Sequence, residues 1–206
     1  RGEAVVDAGA NDPDDPDDPD DPDDPDDPDD AGDANACTAD DVPPIPNAGI
    51  VEPPGVDGCP SGMARVGDVD VCMDRWEAFL VEVDVDGNES PFSPYENPAG
   101  HTVRAKSATG AVPQAYVNEL EASAACVEAG KRLCTNTEWT RACRGADDFV
   151  YPYGNAREPG VCNDHRDVHP AIQYCGTDAD WIWSELGNQC IDQQPDTVAL
   201  TGSHAR

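Results

Sequence analysis

Apolar and polar residues alternate through Val69-Asp70-Val71-Cys72-Met73 and again through Phe79-Leu80-Val81-Glu82-Val83-Asp84-Val85. A period of two predicts half-buried strands in both places. Asp86-Gly87-Asn88 closes the second run as a turn signal. The same stretch, Asp84 to Glu89, has the acidic look of a calcium loop, but its glycine stands fourth where an EF-hand loop needs it sixth. The expected reading is therefore a hairpin turn. Residues 90–113 are rich in Pro, Gly, Ser and Thr and read as loop, with one short strand at residues 101–105.

The pattern then changes to helical spacing. Asn118-Glu119-Leu120-Glu121 offers an N-cap with a glutamate three residues on, the apolar and small residues Leu120, Ala124, Cys126 and Val127 follow, and Gly130 stops the run. Thr135-Asn136-Thr137-Glu138 repeats the capping box, Trp139, Ala142 and Cys143 share one face, and Gly145 ends the second helix. Trp139 is expected to serve as a large apolar anchor. Only Lys131-Arg132-Leu133-Cys134 joins the two helices, too little for a domain boundary. Aromatic and turn residues follow in Phe149-Val150-Tyr151-Pro152-Tyr153-Gly154-Asn155, and residues 156–206 show no clear period.

Composition divides the chain unevenly. Of its 206 residues, 43 are acidic and 12 basic, for a formal net charge of −31, which excludes a nucleic-acid binder. Residues 1–58 hold 20 of the carboxylates and a single basic residue, Arg1. Within them the triplet Asp-Asp-Pro repeats, with proline at 13, 16, 19, 22, 25 and 28, matching the three residues per turn of polyproline II. Proline blocks both ladders, like charges repel, and no apolar surface offsets chain entropy, so an extended, disordered, low-complexity stalk is expected. At about 3.1 Å per residue its core spans on the order of 60 Å. Prolines 43, 44, 46, 53 and 54 continue the linker, and a composition shift at Cys59-Pro60-Ser61-Gly62-Met63 places the domain at 59–206. No run of roughly 18–20 apolar residues could cross a bilayer as a helix. The chain opens on Arg1 rather than Met, so a processed or cut piece is expected, with any signal peptide or lipid-anchored residue upstream.

Nine cysteines, at 37, 59, 72, 126, 134, 143, 162, 175 and 190, form no Cys-x-x-Cys pair. Scattered in this way they read as disulfides made outside the cytoplasm, in the periplasm, at the cell surface or after secretion. An odd number leaves at least one partner missing. Cys134 and Cys143 flank a helix of about 13 Å, beyond the ~7 Å reach of a bridge, so each must pair elsewhere. Arg132, Arg141 and Arg144 are expected to be held by neighbouring carboxylates.

The block Ala129-Gly130-Lys131-Arg132-Leu133-Cys134-Thr135-Asn136-Thr137-Glu138-Trp139-Thr140-Arg141-Ala142-Cys143-Arg144-Gly145, followed by Tyr151-Pro152-Tyr153-Gly154-Asn155 and Cys162-Asn163, resembles the formylglycine-generating enzyme family, the sulfatase-modifying factor domains. Cys59-Pro60, Gly62-Met63 and Cys72-Met73-Asp74-Arg75-Trp76-Glu77 are similar to the family's opening strand. The resemblance covers about residues 59–165. It implies an α+β, C-type-lectin-like fold of irregular strands and two helices, disulfide-rich, and incomplete at its C-terminus. In the family, cysteines resembling Cys126 and Cys143 bridge to the C-terminal part of the domain. Here Cys59–Cys72 and Cys134–Cys162 are the expected local pairs.

Family enzymes oxidise a substrate cysteine with molecular oxygen at a copper-binding cysteine pair near the C-terminus, after a Gly-Asn-x-x-Glu-Trp motif that contributes to a calcium site. Gly187-Asn188-Gln189-Cys190 and Trp181-Ile182-Trp183 are too different to stand in, so no catalytic residue is assigned and copper would require residues following 206. The resemblance does carry a calcium candidate: Asn163, the backbone carbonyl of Asp164, and Asp178 or Asp180 downstream. A zinc alternative, His165 and His169, lacks the helix its spacing needs. The expected function is a stalk-tethered binding or structural domain facing an unidentified protein or surface ligand, with membrane attachment through its N-terminal side. The alternative is a piece of a copper-dependent cysteine-oxidising enzyme.

Overall fold

The computed structural model describes Cys37 and residues 42–67, 69–164, 166–194 and 197–204. The Asp-Pro tract, with its expected extended disorder, lies outside the described residues. The chain divides into two units, Arg1–Thr38 and Ala39–Arg206. In the first, Cys37 is disulfide-bonded.

Two short strands open the fold. β1 (Met63–Arg65) pairs antiparallel with β2 (Cys72–Asp74), Met63 facing Asp74 and Arg65 facing Cys72. The expected Cys59–Cys72 disulfide is present, with its Cα atoms 5.6 Å apart. A loop this short adds about 3 kcal/mol by restricting the unfolded chain. The alternation that begins at Val69 becomes strand only at Cys72, because Val69 donates its amide to Val66 O in a turn.

A three-stranded antiparallel sheet in the order β4-β3-β5 forms the centre. β3 (Ala78–Val83) pairs with β4 (Glu89–Pro91) on one edge and β5 (Val103–Ser107) on the other. Side chains alternate across a strand, and here both faces of β3 are covered. Leu80 packs with Phe92, Val103, Ala105 and Ala125, whereas Phe79 packs with Ala108 and Ala111. Strand β3 stops at Val83, and Val85 is wholly exposed. The Asp84 carboxylate accepts the amides of Asp86 at 2.9 Å and Asn88 at 2.8 Å, and Gly87 supplies the positive φ of 84°. The acidic loop is thus the expected turn, its carboxylate occupied by its own backbone.

Helix α1 (Glu119–Glu128) carries the full capping box, with Asn118 Oδ1 accepting from Leu120 and Glu121 and the Glu121 carboxylate accepting from Asn118 N. Its packed face differs from the expected one: Ala125, Cys126 and Ala129 meet the sheet, while Leu120 and Val127 are 81% and 66% exposed. Small side chains allow the helix to lie close on β5, and this displaces the larger residues outward. Helix α2 (Asn136–Arg144) has the Thr135–Glu138 box and ends at Gly145, as expected.

Three short elements fill the region that showed no period: α3 (Pro170–Cys175), a 3-10 turn at Asp180–Ser184, and α4 (Gln189–Asp192). Each has at most six residues, too few to display a repeat, and each is set by local chemistry. His169 and Asn188 cap the two helices, Pro170 occupies the first turn of α3, and Ala171, Ile182 and Ile191 form a common core. Residues 42–58, read from the sequence as the end of the linker, are built into the domain. Asn47 is buried and exchanges two 2.8 Å hydrogen bonds with the backbone of Val112, while Ser93 Oγ donates to Pro44 O at 2.7 Å. Thr201 closes the fold from the other end, its Oγ1 donating to Ala108 O at 2.6 Å and accepting from Ala111 N at 2.9 Å.

Candidate functional site

The block between the two helices is organised around a half-hidden charge. Lys131 Nζ, on a side chain only 12% exposed, lies 2.7 Å from Asp74 Oδ1 and 3.5 Å from Glu52 Oε1. Glu52 Oε1 also accepts from Ser107 N at 2.9 Å, and Ser107 Oγ donates to Trp76 O at 2.9 Å while accepting from Trp76 N at 3.1 Å. One lysine therefore ties together the 42–58 segment, β2, β5 and the end of α1. Burial pushes the Asp74 carboxyl up despite the hydrogen bond and charge of Lys131. Gly62 borders this node with φ +75°, and a Cβ there would meet Ser107 O at 2.6 Å and Glu52 Oε1 at 2.8 Å. Only glycine fits.

Arg132 grips Glu138 with two bonds, Nη1 to Oε2 at 2.8 Å and Nη2 to Oε1 at 2.6 Å. The guanidinium, together with donation from Thr135 N and Oγ1, lowers Glu138 from its ordinary 4.5 to about 2. Arg144 pairs with Asp148 at 2.9 Å, so both arginines are held by carboxylates as expected. Arg141 lines a cavity of about 410 Å³ with Arg65 and Arg75, and the Arg75 guanidinium sits 4.3 Å above the Trp76 ring.

The shared face of α2 points Trp139, Ala142 and Cys143 into a larger cavity of about 710 Å³, opposite Trp76, Cys162 and Asn163. Trp139 is 61% exposed, so it lines this opening instead of anchoring the core. The expected Cys134–Cys162 pair is absent. Both are free thiols, and Cys134 lines a different cavity, of about 600 Å³, beside Lys131, Arg132 and Glu138. Cys126, Cys143 and Cys175 are also free, whereas Cys37, Cys59, Cys72 and Cys190 are disulfide-bonded. Burial, first of all, pushes the Cys126 and Cys134 thiols up, with Asp74 adding to the first and Glu138 to the second.

The calcium candidates fall in two places along the chain. Asn163 Nδ2 donates to Thr197 O at 3.4 Å. The Asp164 carboxylate is engaged by Arg157 at 3.2 Å and by Gly160 N at 3.1 Å, and the Gly160 amide is the main reason it is held below the usual range. Asp180 opens the 3-10 turn, and Asp178 lies two residues before it. Among the described residues, no three His, Cys, Asp or Glu side chains converge as a ligand group. A calcium ion here would draw on the Asn163 amide oxygen and the Asp164 carbonyl, with one aspartate downstream. Of the zinc alternative, His165 lies outside the described residues. His169 is exposed, accepts the Ala171 amide at 3.1 Å through Nδ1 and meets Trp183 edge-on at 5.1 Å. Asn188 caps α4, and Cys190 beside it is fully buried and disulfide-bonded, so this segment presents no reactive thiol.

Sequence reasoning missed Glu52 and Trp76 as members of these sites. Trp76 stood in the Cys72–Glu77 block, where a large aromatic beside an arginine was the available signal. Glu52 stood in a proline-rich stretch that gave none. No curated protein and no solved structure is significantly similar to the chain. The family model for the sulfatase-modifying factor enzyme 1-like domain matches residues 65–188, from β1 to the cap of α4. That match takes in Asp74, Lys131, the Arg132–Glu138 clasp and both cavity tryptophans over more than half of the sequence, and the chain belongs to this family.

Proposed function

We propose that this sulfatase-modifying-factor-like domain acts outside the cytoplasm as a binding or structural module, carried on an acidic stalk and tethered to a membrane through its N-terminal side, in a lectin-like arrangement of irregular strands and helices. The observation that carries this reading is the open cavity walled by Trp76 and Trp139, which gives a partner two broad indole faces. The thiols support it. Cysteine oxidation needs an activated thiolate, whereas Cys126 and Cys134 are pushed toward the neutral form. Disulfides fit an oxidising compartment. No helix among the described residues is long and apolar enough to cross a membrane.

Calcium belongs to the same proposal, held by Asn163, the Asp164 carbonyl and Asp178 or Asp180. Its role is to stiffen the irregular C-terminal third. Calcium chloride should raise the melting temperature where magnesium chloride does not, and Asn163→Ala should remove the difference. Equal melting curves with and without calcium would remove the metal from the account. The functional test is incubation of the full chain with Cu(I), oxygen and a cysteine-bearing peptide, with aldehyde read as a hydrazide adduct by mass. No aldehyde is expected. Its formation would make this a cysteine-oxidising enzyme.

A further inference from the structure

In a chain with 43 acidic and 12 basic side chains, a guanidinium has carboxylates to choose from. Arg65, Arg104, Arg132, Arg144 and Arg157 each hold one, and Arg141 and Arg166 have partners too. Arg75 differs. Its side chain is exposed, and among the described residues no carboxylate pairs with it. Its guanidinium rests instead over the Trp76 ring, 4.3 Å from the centroid. Contact with an indole face holds the cation in place without consuming its N–H donors, which stay available to a planar acceptor.

Arg75 also stands where two cavities adjoin. The tryptophan-lined cavity of about 710 Å³ and the arginine-lined cavity of about 410 Å³ share Met73, Arg75 and Ala142 in their walls. The tryptophan side, with Trp76, Trp139, Pro113, Pro152 and Leu200, is mainly apolar. It suits an apolar side chain better than a saccharide, whose hydroxyls would each need a partner. The acid on that side is Glu77, which would repel a second carboxylate. On the other side stand Arg65 and Arg141, and the acid there, Asp74, is held by Lys131 at 2.7 Å. A ligand would therefore place its negative charge toward the arginines and its apolar group toward the tryptophans. On the reading of this domain as a binding module, we propose that the adjoining cavities receive an acidic peptide segment of a partner protein. A carboxylate side chain meets the Arg75 guanidinium, and a nearby aromatic side chain lies against Trp76 and Trp139. In an extended peptide the two side chains stand two residues apart, because alternate residues share a face.

The test is fluorescence anisotropy of a dye-labelled Ser-Glu-Ser-Phe-Ser-Glu-Ser peptide titrated with the full chain. About 0.15 M salt screens the chain's other carboxylates beyond ~8 Å. Binding is expected, weakened about tenfold or more by Arg75→Ala or Trp139→Ala, and equally by glutamine in place of the peptide's glutamates. Arg75→Lys should recover only part of the loss, because an ammonium lacks the planar fork. The glutamine arm uses unaltered protein, so a misfolded variant cannot imitate its result. Equal binding of the glutamine peptide would overturn the acidic ligand and leave the tryptophan cavity as a binding site. Binding indifferent to Trp139→Ala would remove the cavity as well. Polygalacturonate that binds more tightly than the peptide would overturn the choice of a peptide. No binding by any peptide sinks the proposal, whereas the aldehyde assay decides separately whether the domain is a non-catalytic module.

Discussion

At the scale of single residues, the charges that look like a solvated surface in the sequence divide into two kinds. Lys131 is the inward kind, and removing one partner of a largely desolvated pair leaves the others uncompensated. Lys131→Met should cost about 2–3 kcal/mol in urea unfolding, and combining it with Asp74→Asn should cost less than the sum of the two. Additive losses would mean the pair is not coupled. Glu138 is the locally held kind, bonded within its own helix cap, with its pKa lowered to about 2 by Arg132 and Thr135. A depressed folded pKa contributes stability above the ordinary value of 4.5 and loses it as pH falls toward 2. The melting temperatures of the wild type and Glu138→Gln should therefore differ at pH 6 and converge near pH 2, and a constant gap would contradict this assignment. That a carboxylate holds Arg132 was legible, because its partner Glu138 stands only six residues away around a helix cap. The Lys131–Glu52 contact was not, because 79 residues separate its ends.

At the scale of elements, capping chemistry was the most readable feature. Asn118, Thr135, Gly130 and Gly145 bounded α1 and α2 where the sequence placed them. Asn118→Ala should lower stability by about 1 kcal/mol, a loss that Asn118→Asp should largely avoid. Thermal melts would check both. What the pattern misled on was the packed side of α1, because Leu120 and Val127 outrank alanine in hydrophobicity yet point outward. Leu120→Lys should be within about 0.5 kcal/mol of the wild type, whereas Ala125→Leu should cost about 1–3 kcal/mol by overpacking against β5. The reverse order would mean that α1 packs by its larger residues. The short helices after residue 169 were unreadable for a different reason: periodicity needs two or three turns, and α3 and α4 have less.

At the scale of the whole molecule, recognition rested on a contiguous block, Ala129 to Gly145, whereas the site it builds is assembled from distant parts. Trp76 and Trp139 line one cavity, and Lys131, Asp74, Glu52 and Ser107 tie together the segments beside it. Family membership follows from the block, and the proposed binding or structural role follows from what surrounds it. The central claim is that the free cysteines of this domain are structural and not activated nucleophiles. It is tested most directly by the rate at which each one, Cys126 and Cys134 above all, reacts with iodoacetamide as pH is raised. Their thiols are pushed above the ordinary 9.0, so their rates should still be climbing at pH 9. A thiol that reacts fast and reaches its plateau below pH 7 would contradict the account and mark a catalytic cysteine.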